Sequence, residues 1–191
     1  LWDLVSSKPL QTFNNHYDAI TGISITSGGV EVVSGSFDKT CRIWKINNGE
    51  VLGSLFGHAD VVWAVTITPD DKLALVGYNN TSCILWNLIS KKALNVLNGH
   101  TNSVSSVAIA PDGRLGLSGS LDNSCILWDL SSGVVKHKLI GHTSGVSSVA
   151  FSSDGGKAFS TSIDKTCIFW DIETGKQLAR VVVGSSVKTI A

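Results

Sequence analysis

His100, Ser118 and Asp122 are the residues whose types could do chemistry, since they supply the base, nucleophile and acid of a catalytic triad. The combination occurs twice more, as His16, Ser34 and Asp38 and as His142, Ser160 and Asp164. An active site is rarely built three times in one short chain, whereas a structural network recurs with the unit that carries it. The repetition therefore favours a structural role and predicts no catalytic residue.

The cysteines follow the same repeat, because Cys41, Cys83, Cys125 and Cys167 are each 42 residues from the next. Zinc sites need pairs of ligands two to four residues apart, so this spacing predicts no metal site. The series Gly113, Gly116 and Gly119 lacks the spacing of a dinucleotide fingerprint, and we expect no cofactor. Unpaired thiols suit a reducing compartment, which predicts a cytoplasmic or nuclear protein.

The overall charge is balanced, with 15 basic and 15 acidic residues in 191. This balance predicts no attraction to nucleic acid, and no apolar run approaches the roughly 20 residues of a membrane span. Charged residues make up 16% of the chain, below the roughly 25% of an average soluble protein. Together with abundant glycine and β-branched residues, the composition favours an all-β fold.

The element that must position these residues is a repeating unit of four short strands, as in 103–110, 114–120, 124–130 and 134–140. Turn-forming residues such as Pro111-Asp112-Gly113 separate the strands. Along Cys125–Leu130, apolar side chains alternate onto both faces, so each small sheet needs a cover on both sides. Neighbouring copies in a radial array would provide that cover.

Three Gly-His pairs, at 57–58, 99–100 and 141–142, each stand 28 residues before a Trp-Asp or Trp-Asn pair and resemble the WD-repeat (WD40) propeller signature. The resemblance covers the chain and implies a WD40-type β-propeller segment over 1–191. We expect four complete four-stranded blades, at 19–56, 61–97, 103–140 and 145–182, and partial blades at 1–13 and 186–191.

Most members of this family close a ring of seven or eight blades, and the sequence contains no Met. We therefore expect a piece of a longer protein, such as the repeat region of a NACHT/WD-type or other multidomain scaffold. Additional blades would come from the rest of that protein or from self-association.

The resemblance also implies that the recurring polar residues form hydrogen-bonded tetrads. Their members are His16, Ser34, Asp38 and Trp44; His100, Ser118, Asp122 and Trp128; and His142, Ser160, Asp164 and Trp170. The second blade departs from the pattern, since Val76 and Tyr78 stand at serine positions and Asn80 replaces the aspartate. Its tetrad is expected to be incomplete.

Trp63 breaks the repeat, because the equivalent residues are small and polar: Thr21, Ser105 and Ser147. By resemblance this position begins the innermost strand at the mouth of the channel, where family members contact peptides. An indole there has the area of a binding hot spot. Alternatively, Trp63 shares a face with Val65 and Ile67 and fills space in an irregular blade.

A second set of candidate partner-binding residues lies in the turns before each Asp or Asn: Phe37, Leu121 and Ile163, with Asn79 as the polar exception. Tight turns favour polar residues, so large apolar ones suggest either an exposed interaction patch or sideways packing on neighbouring turns.

These observations predict a protein–protein interaction scaffold that binds a peptide or protein on the propeller face. Alternatives are the propeller part of a larger enzyme or signalling ATPase, and a structural spacer. A catalytic propeller requires non-repeating carboxylates or histidines at the channel, and a spacer predicts a uniformly polar face.

Overall fold

The computed structural model describes residues 1–56 and 60–185. Over these residues the secondary structure consists of strands and turns, which confirms the all-β prediction. Within these two ranges there is no helix long and apolar enough to cross a membrane. The Gly57-His58 pair and the expected partial blade at 186–191 lie outside the described residues.

Four antiparallel sheets of four strands follow one another along the chain, each with its strands in sequence order. The first blade contains β3 (Ile20–Ile25), β4 (Glu31–Ser36), β5 (Cys41–Lys45) and β6 (Val51–Leu55). The second contains β7 (Val62–Ile67), β8 (Leu73–Tyr78), β9 (Ser82–Asn87) and β10 (Lys92–Asn98). The third contains β11 (Val104–Ile109), β12 (Leu115–Ser120), β13 (Ser124–Asp129) and β14 (Val134–Ile140). The fourth contains β15 (Val146–Phe151), β16 (Lys157–Ser162), β17 (Thr166–Asp171) and β18 (Gln177–Val182).

A short hairpin precedes the blades, formed by β1 (Trp2–Asp3) and β2 (Lys8–Pro9). With the exposed side chains of Ile20, Ile23 and Ile25 it borders an apolar groove of about 420 Å³. The corresponding residues of the second blade, Val62, Val65 and Ile67, are buried against the first.

The core consists of the seams between consecutive blades. The seam between the second and third blades is typical, because Leu85 and Leu97 of one sheet pack with Val107, Ile126 and Trp128 of the next. Burying such side chains stabilises the fold by about 1.5–3 kcal/mol each. Neither face of an inner blade is stable alone in water, so the blades must stack.

Glycine in the second strand is what allows the blades to approach. A Cβ on Gly77 would lie 2.8 Å from Val104 Cγ1, and one on Gly119 would lie 2.5 Å from Val146 Cγ1. Both distances are shorter than a Cβ atom tolerates, so the glycine makes room for the valine of the next blade.

One end of the blades, here called the upper face, gathers the turns after each second strand and the loops before each first strand. The turns are 37–39, 79–81, 121–123 and 163–165, and the loops are 18–19, 60–61, 102–103 and 144–145. Backbone hydrogen bonds join each turn to its loop, as from Leu121 N to Ser103 O at 3.0 Å.

Candidate functional site

The structure brings the four polar residues of the third blade into one network beneath the upper face. His100 Nδ1 lies 2.9 Å from Asp122 Oδ2, and its Nε2 lies 2.8 Å from Ser118 Oγ. The Trp128 indole N–H donates to the same hydroxyl oxygen at 2.8 Å. Through these bonds Ser118 connects its own strand, β12, to Trp128 on β13 and to His100 in the loop before the blade.

The first and fourth blades contain the same network with nearly the same distances. His16 lies 2.8 Å from Asp38 and 2.7 Å from Ser34, which accepts from Trp44 at 2.7 Å. His142 lies 3.1 Å from Asp164 and 2.8 Å from Ser160, which accepts from Trp170 at 2.8 Å.

The aspartate of each network holds the loop in place. Asp122 Oδ2 accepts from Thr101 N at 2.9 Å, while its Oδ1 accepts from Ser124 N at 2.9 Å. Burial alone would raise the pKa of Asp122, but hydrogen bonds from Ser124, Thr101 and His100 lower it to about 2. Burial lowers the pKa of His100 despite the neighbouring carboxylate, so the ring is neutral at pH 7.

The serines of these networks have no access for a substrate. Ser118 and Ser160 are completely buried, and their hydroxyls are already bonded to an indole and an imidazole. Buried polar groups of this kind need such partners, because an unsatisfied one costs about 1–3 kcal/mol. The network holds the loop before each blade against the second and third strands, and it exposes no serine hydroxyl to solvent.

The second blade replaces the serine hydroxyl with that of a tyrosine. Trp86 Nε1 donates to Tyr78 OH at 3.2 Å, while Val76 occupies the serine position on the same strand. Asn80 accepts instead from Ser82 Oγ at 2.9 Å, and His58 lies outside the described residues. The side chains of residues 76 and 78 share a face of β8, and this two-residue period is the signal that could have found Tyr78.

The innermost strand of every blade has a β-bulge at its second residue, where the register skips Thr21, Trp63, Ser105 and Ser147. Thr21 Oγ1 donates to Gly35 O at 3.1 Å and to Val62 O of the second blade at 2.8 Å. Ser105 Oγ donates likewise to Gly119 O and, at 2.5 Å, to Val146 O of the fourth blade. Ser147 Oγ lies 3.1 Å from Thr161 Oγ1. A hydroxyl at the bulge thus ties neighbouring strands and blades together.

Trp63 cannot make this bond, and its side chain lies instead across the first seam of the upper face. Its ring meets Phe37 of the first blade edge-on, with centroids 5.2 Å apart and planes at 70°. Its indole N–H donates to Asn79 Oδ1 at 3.1 Å. Both aromatic side chains are half-buried, so they pack sideways on each other and also present surface to solvent.

The other two apolar turn residues are more exposed. Leu121 is 37% exposed and contacts Gly145 of the fourth blade, while Ile163 is 53% exposed. In the second blade, Asn79 accepts from Ser103 Oγ of the third blade at 2.8 Å. The upper face is therefore apolar in three blades and amide-bearing in one, unlike the uniformly polar face that a spacer predicts.

Charge on the upper face is uneven. Asp18 and Asp60 occupy the loops before the first and second blades, whereas Asn102 and Ser144 occupy the equivalent places before the third and fourth. Across residues 1–56 and 60–185, histidine, cysteine and carboxylate side chains form no cluster of three that could hold a metal ion.

All four cysteines are free thiols. Cys41, Cys83 and Cys125 are buried, and burial raises the pKa of each to about 12. Cys167 is partly exposed, and its pKa is raised for the same reason. Cys41, Cys83 and Cys125 fill the seams between blades, and the raised pKa of each keeps it in the thiol form at neutral pH.

The family model for the WD domain, G-beta repeat, matches residues 7–45, 49–87, 91–129 and 133–171. No curated protein matches the chain significantly. The four matches fall on consecutive segments with the same period as the sheets.

Proposed function

The chain belongs to the WD-repeat family, and we propose that it is a protein-binding platform whose upper face docks a peptide or a partner protein. WD repeats are generally protein-interaction modules and generally non-catalytic. The proposal assigns this general task to particular residues of one face.

The observation that carries the proposal is the aromatic pair of Phe37 and Trp63. Every other blade has a small hydroxyl residue at the bulge, which bonds the next blade in the first and third blades and Thr161 of the same blade in the fourth. The second blade has an indole at this position, and it lies half-buried over the seam with the first blade. Half-buried aromatic rings with a polar edge are the side chains that dominate binding energy at protein interfaces.

Leu121 and Ile163 extend the proposed surface towards the third and fourth blades. Exposed apolar side chains clustered on one face commonly indicate an interaction surface. The proposed surface also includes the bulge residues Thr21, Ser105 and Ser147, which are partly exposed on the innermost strands.

Binding without catalysis agrees with the buried tetrads, whose serines are closed to substrate. We further propose a protein or peptide partner, with no nucleic acid or membrane, because the net charge is zero. The free thiols favour a cytoplasmic or nuclear location.

Selection of a displayed peptide library on the chain tests the proposal. The double variant Trp63→Ser/Leu121→Asn introduces residues that the repeat already uses at these positions, namely Ser105 and Asn79. We expect the selected peptides to lose about tenfold or more in affinity for this variant. The matched control is Ile89→Ser, which removes a more exposed apolar residue from the opposite end of the second blade. Equal affinity for the wild-type chain and the double variant would refute the proposed face.

A further inference from the structure

We propose that the upper face over the first and second blades recognises a peptide through a cationic side chain, specifically an arginine. This inference rests on the proposed function and names the chemistry of its ligand. It is drawn from the positions of two aromatic rings and two carboxylates in the same part of the face.

The loops that carry the two carboxylates are joined by backbone hydrogen bonds to the turns that carry Phe37 and Asn79. Asp18 Oδ1 accepts from Ala19 N at 2.7 Å, and Ala19 O accepts from Phe37 N at 2.9 Å. The loop that carries Asp18 is thus bonded directly to the residue that carries the first ring.

The second carboxylate repeats this arrangement one blade further on. Asp60 Oδ1 accepts from Val61 N at 2.7 Å, and Val61 O accepts from Asn79 N at 3.0 Å. Asn79 in turn accepts the indole N–H of Trp63 at 3.1 Å. In both loops, the residue directly after the aspartate accepts a backbone hydrogen bond from the neighbouring turn. That turn carries Phe37 in the first blade and Asn79, the partner of Trp63, in the second.

The third and fourth blades lack both features. Their loops carry Asn102 and Ser144 where the first two carry aspartate, and their turn residues are Leu121 and Ile163. Lys39 in the first blade has its counterpart in Lys165 of the fourth, whereas Arg42, which lies 5.9 Å from the centre of the Tyr17 ring in the first blade, stands where the other blades carry isoleucine. Negative charge and aromatic surface thus coincide in one half of the upper face.

Arginine fits this combination better than any other side chain. Its planar guanidinium stacks on aromatic rings and forms paired hydrogen bonds with carboxylates. A lysine ammonium would gain the charge attraction but has no planar group to stack on a ring and does not form paired hydrogen bonds with a carboxylate. An acidic peptide would meet two carboxylates of its own sign.

Peptides selected on the wild-type chain provide the first test. We expect arginine to be enriched among peptides whose binding is lost with Trp63→Ser. If peptides depend on Trp63 but show no such enrichment, the platform remains and the arginine inference is wrong. If no selected peptide depends on Trp63, the proposed function itself fails.

The second test changes the charge without removing a hydrogen-bond acceptor. The variant Asp18→Asn/Asp60→Asn should weaken an arginine-containing selected peptide about tenfold at low salt, with a smaller effect at high salt because screening weakens the attraction. The control Asp112→Asn/Asp154→Asn makes the same change of two charges in turns at the opposite end of the blades. Replacement of the peptide arginine by glutamine should weaken wild-type binding equally and add little to the variant. Equal loss in both charge variants, or in neither, would overturn the inference.

Discussion

The ring of Trp63 in the second blade lies edge-on to the ring of Phe37 in the first, with 5.2 Å between their centroids. Thr21 of the first blade bridges this same seam with its hydroxyl, whereas Trp63 lacks the hydroxyl with which Ser105 bonds the next blade along the chain. The second blade therefore has an aromatic contact with the first blade in place of a side-chain hydrogen bond to the third. A residue that served stability alone would be expected to follow the repeat.

Replacement of Trp63 by serine should destabilise the fold only moderately. Serine at the bulge is expected to donate to Gly77 O and Val104 O, as Ser105 does to Gly119 O and Val146 O. This bond offsets the aromatic contact, worth about 0.5–1.5 kcal/mol beyond burial. The apolar area that the half-buried indole removes from water is lost, at a cost of about 1–3 kcal/mol, and urea denaturation should show a decrease of this size in the free energy of unfolding. A loss above about 4 kcal/mol would instead assign Trp63 to packing.

Removal of the Ser118 hydroxyl should destabilise the third blade. Ser118→Ala leaves the Trp128 indole and the His100 ring without their shared partner, at a cost of about 1–3 kcal/mol. The control is Ser131→Ala, whose hydroxyl bonds an exposed carboxylate in a surface turn and should change stability by less than about 0.5 kcal/mol. Equal stability of the two variants would show that the network does not support the blade.

An added methyl group at Gly119 should separate the third and fourth blades. The new Cβ in Gly119→Ala would lie 2.5 Å from Val146 Cγ1, and overpacking of this kind costs about 1–3 kcal/mol. Gly28→Ala is the control, because its Cβ would meet no atom closer than 3.7 Å. In thermal unfolding, the pair Gly119→Ala/Val146→Ala should lose less than the sum of the single changes. Strict additivity would contradict direct contact between the two positions.

Stability should decrease as the pH falls below about 7. Burial lowers the pKa of His100 and His142 below the ordinary value of 6.5, so the unfolded chain binds protons that the folded chain does not. The stability that comes from neutral histidine is complete above pH 6.5 and is lost as the pH falls towards the folded pKa. Because Asp122 has a folded pKa of about 2 against 3.8, its contribution is lost later, between about pH 4 and 2.

Urea midpoints between pH 8 and 5 measure the histidine effect, and they should fall steadily as acid is added. In His100→Gln/His142→Gln the midpoint should be lower throughout but should depend less on pH over this range. A midpoint that rises from pH 7 to 5 would contradict neutral buried histidines.

Most of the fold could be predicted from the sequence because the chain repeats with a constant period. The all-β class and the WD-repeat resemblance are confirmed, because a period of constant length places Trp44, Trp86, Trp128 and Trp170 at equivalent points of four successive sheets. Periodicity also predicted that the histidine, serine and aspartate sets recur with the blade, and the first, third and fourth blades contain the same hydrogen-bonded network.

Two features of the candidate site could not be predicted in the same way. The two-residue period of β8 places Tyr78 on the same face as Val76, but the bond from Trp86 also depends on how far the phenol ring reaches along that face, which sequence spacing does not give. The contact of Phe37 with Trp63 depends on how closely two blades approach, which Gly35 and the bulge determine together. Both features occur where the repeat is broken, so periodicity could identify the positions but not their partners.

The indole signal of Trp63 in a ¹H–¹⁵N spectrum, identified by its absence from Trp63→Ser, gives the most direct measurement of partner binding at the upper face. During titration with a peptide selected on the chain, the account predicts that this signal moves and saturates at the affinity measured independently. The buried indoles of Trp128 and Trp170 serve as internal references and should move much less. Saturable binding that leaves the Trp63 signal unmoved would contradict the account.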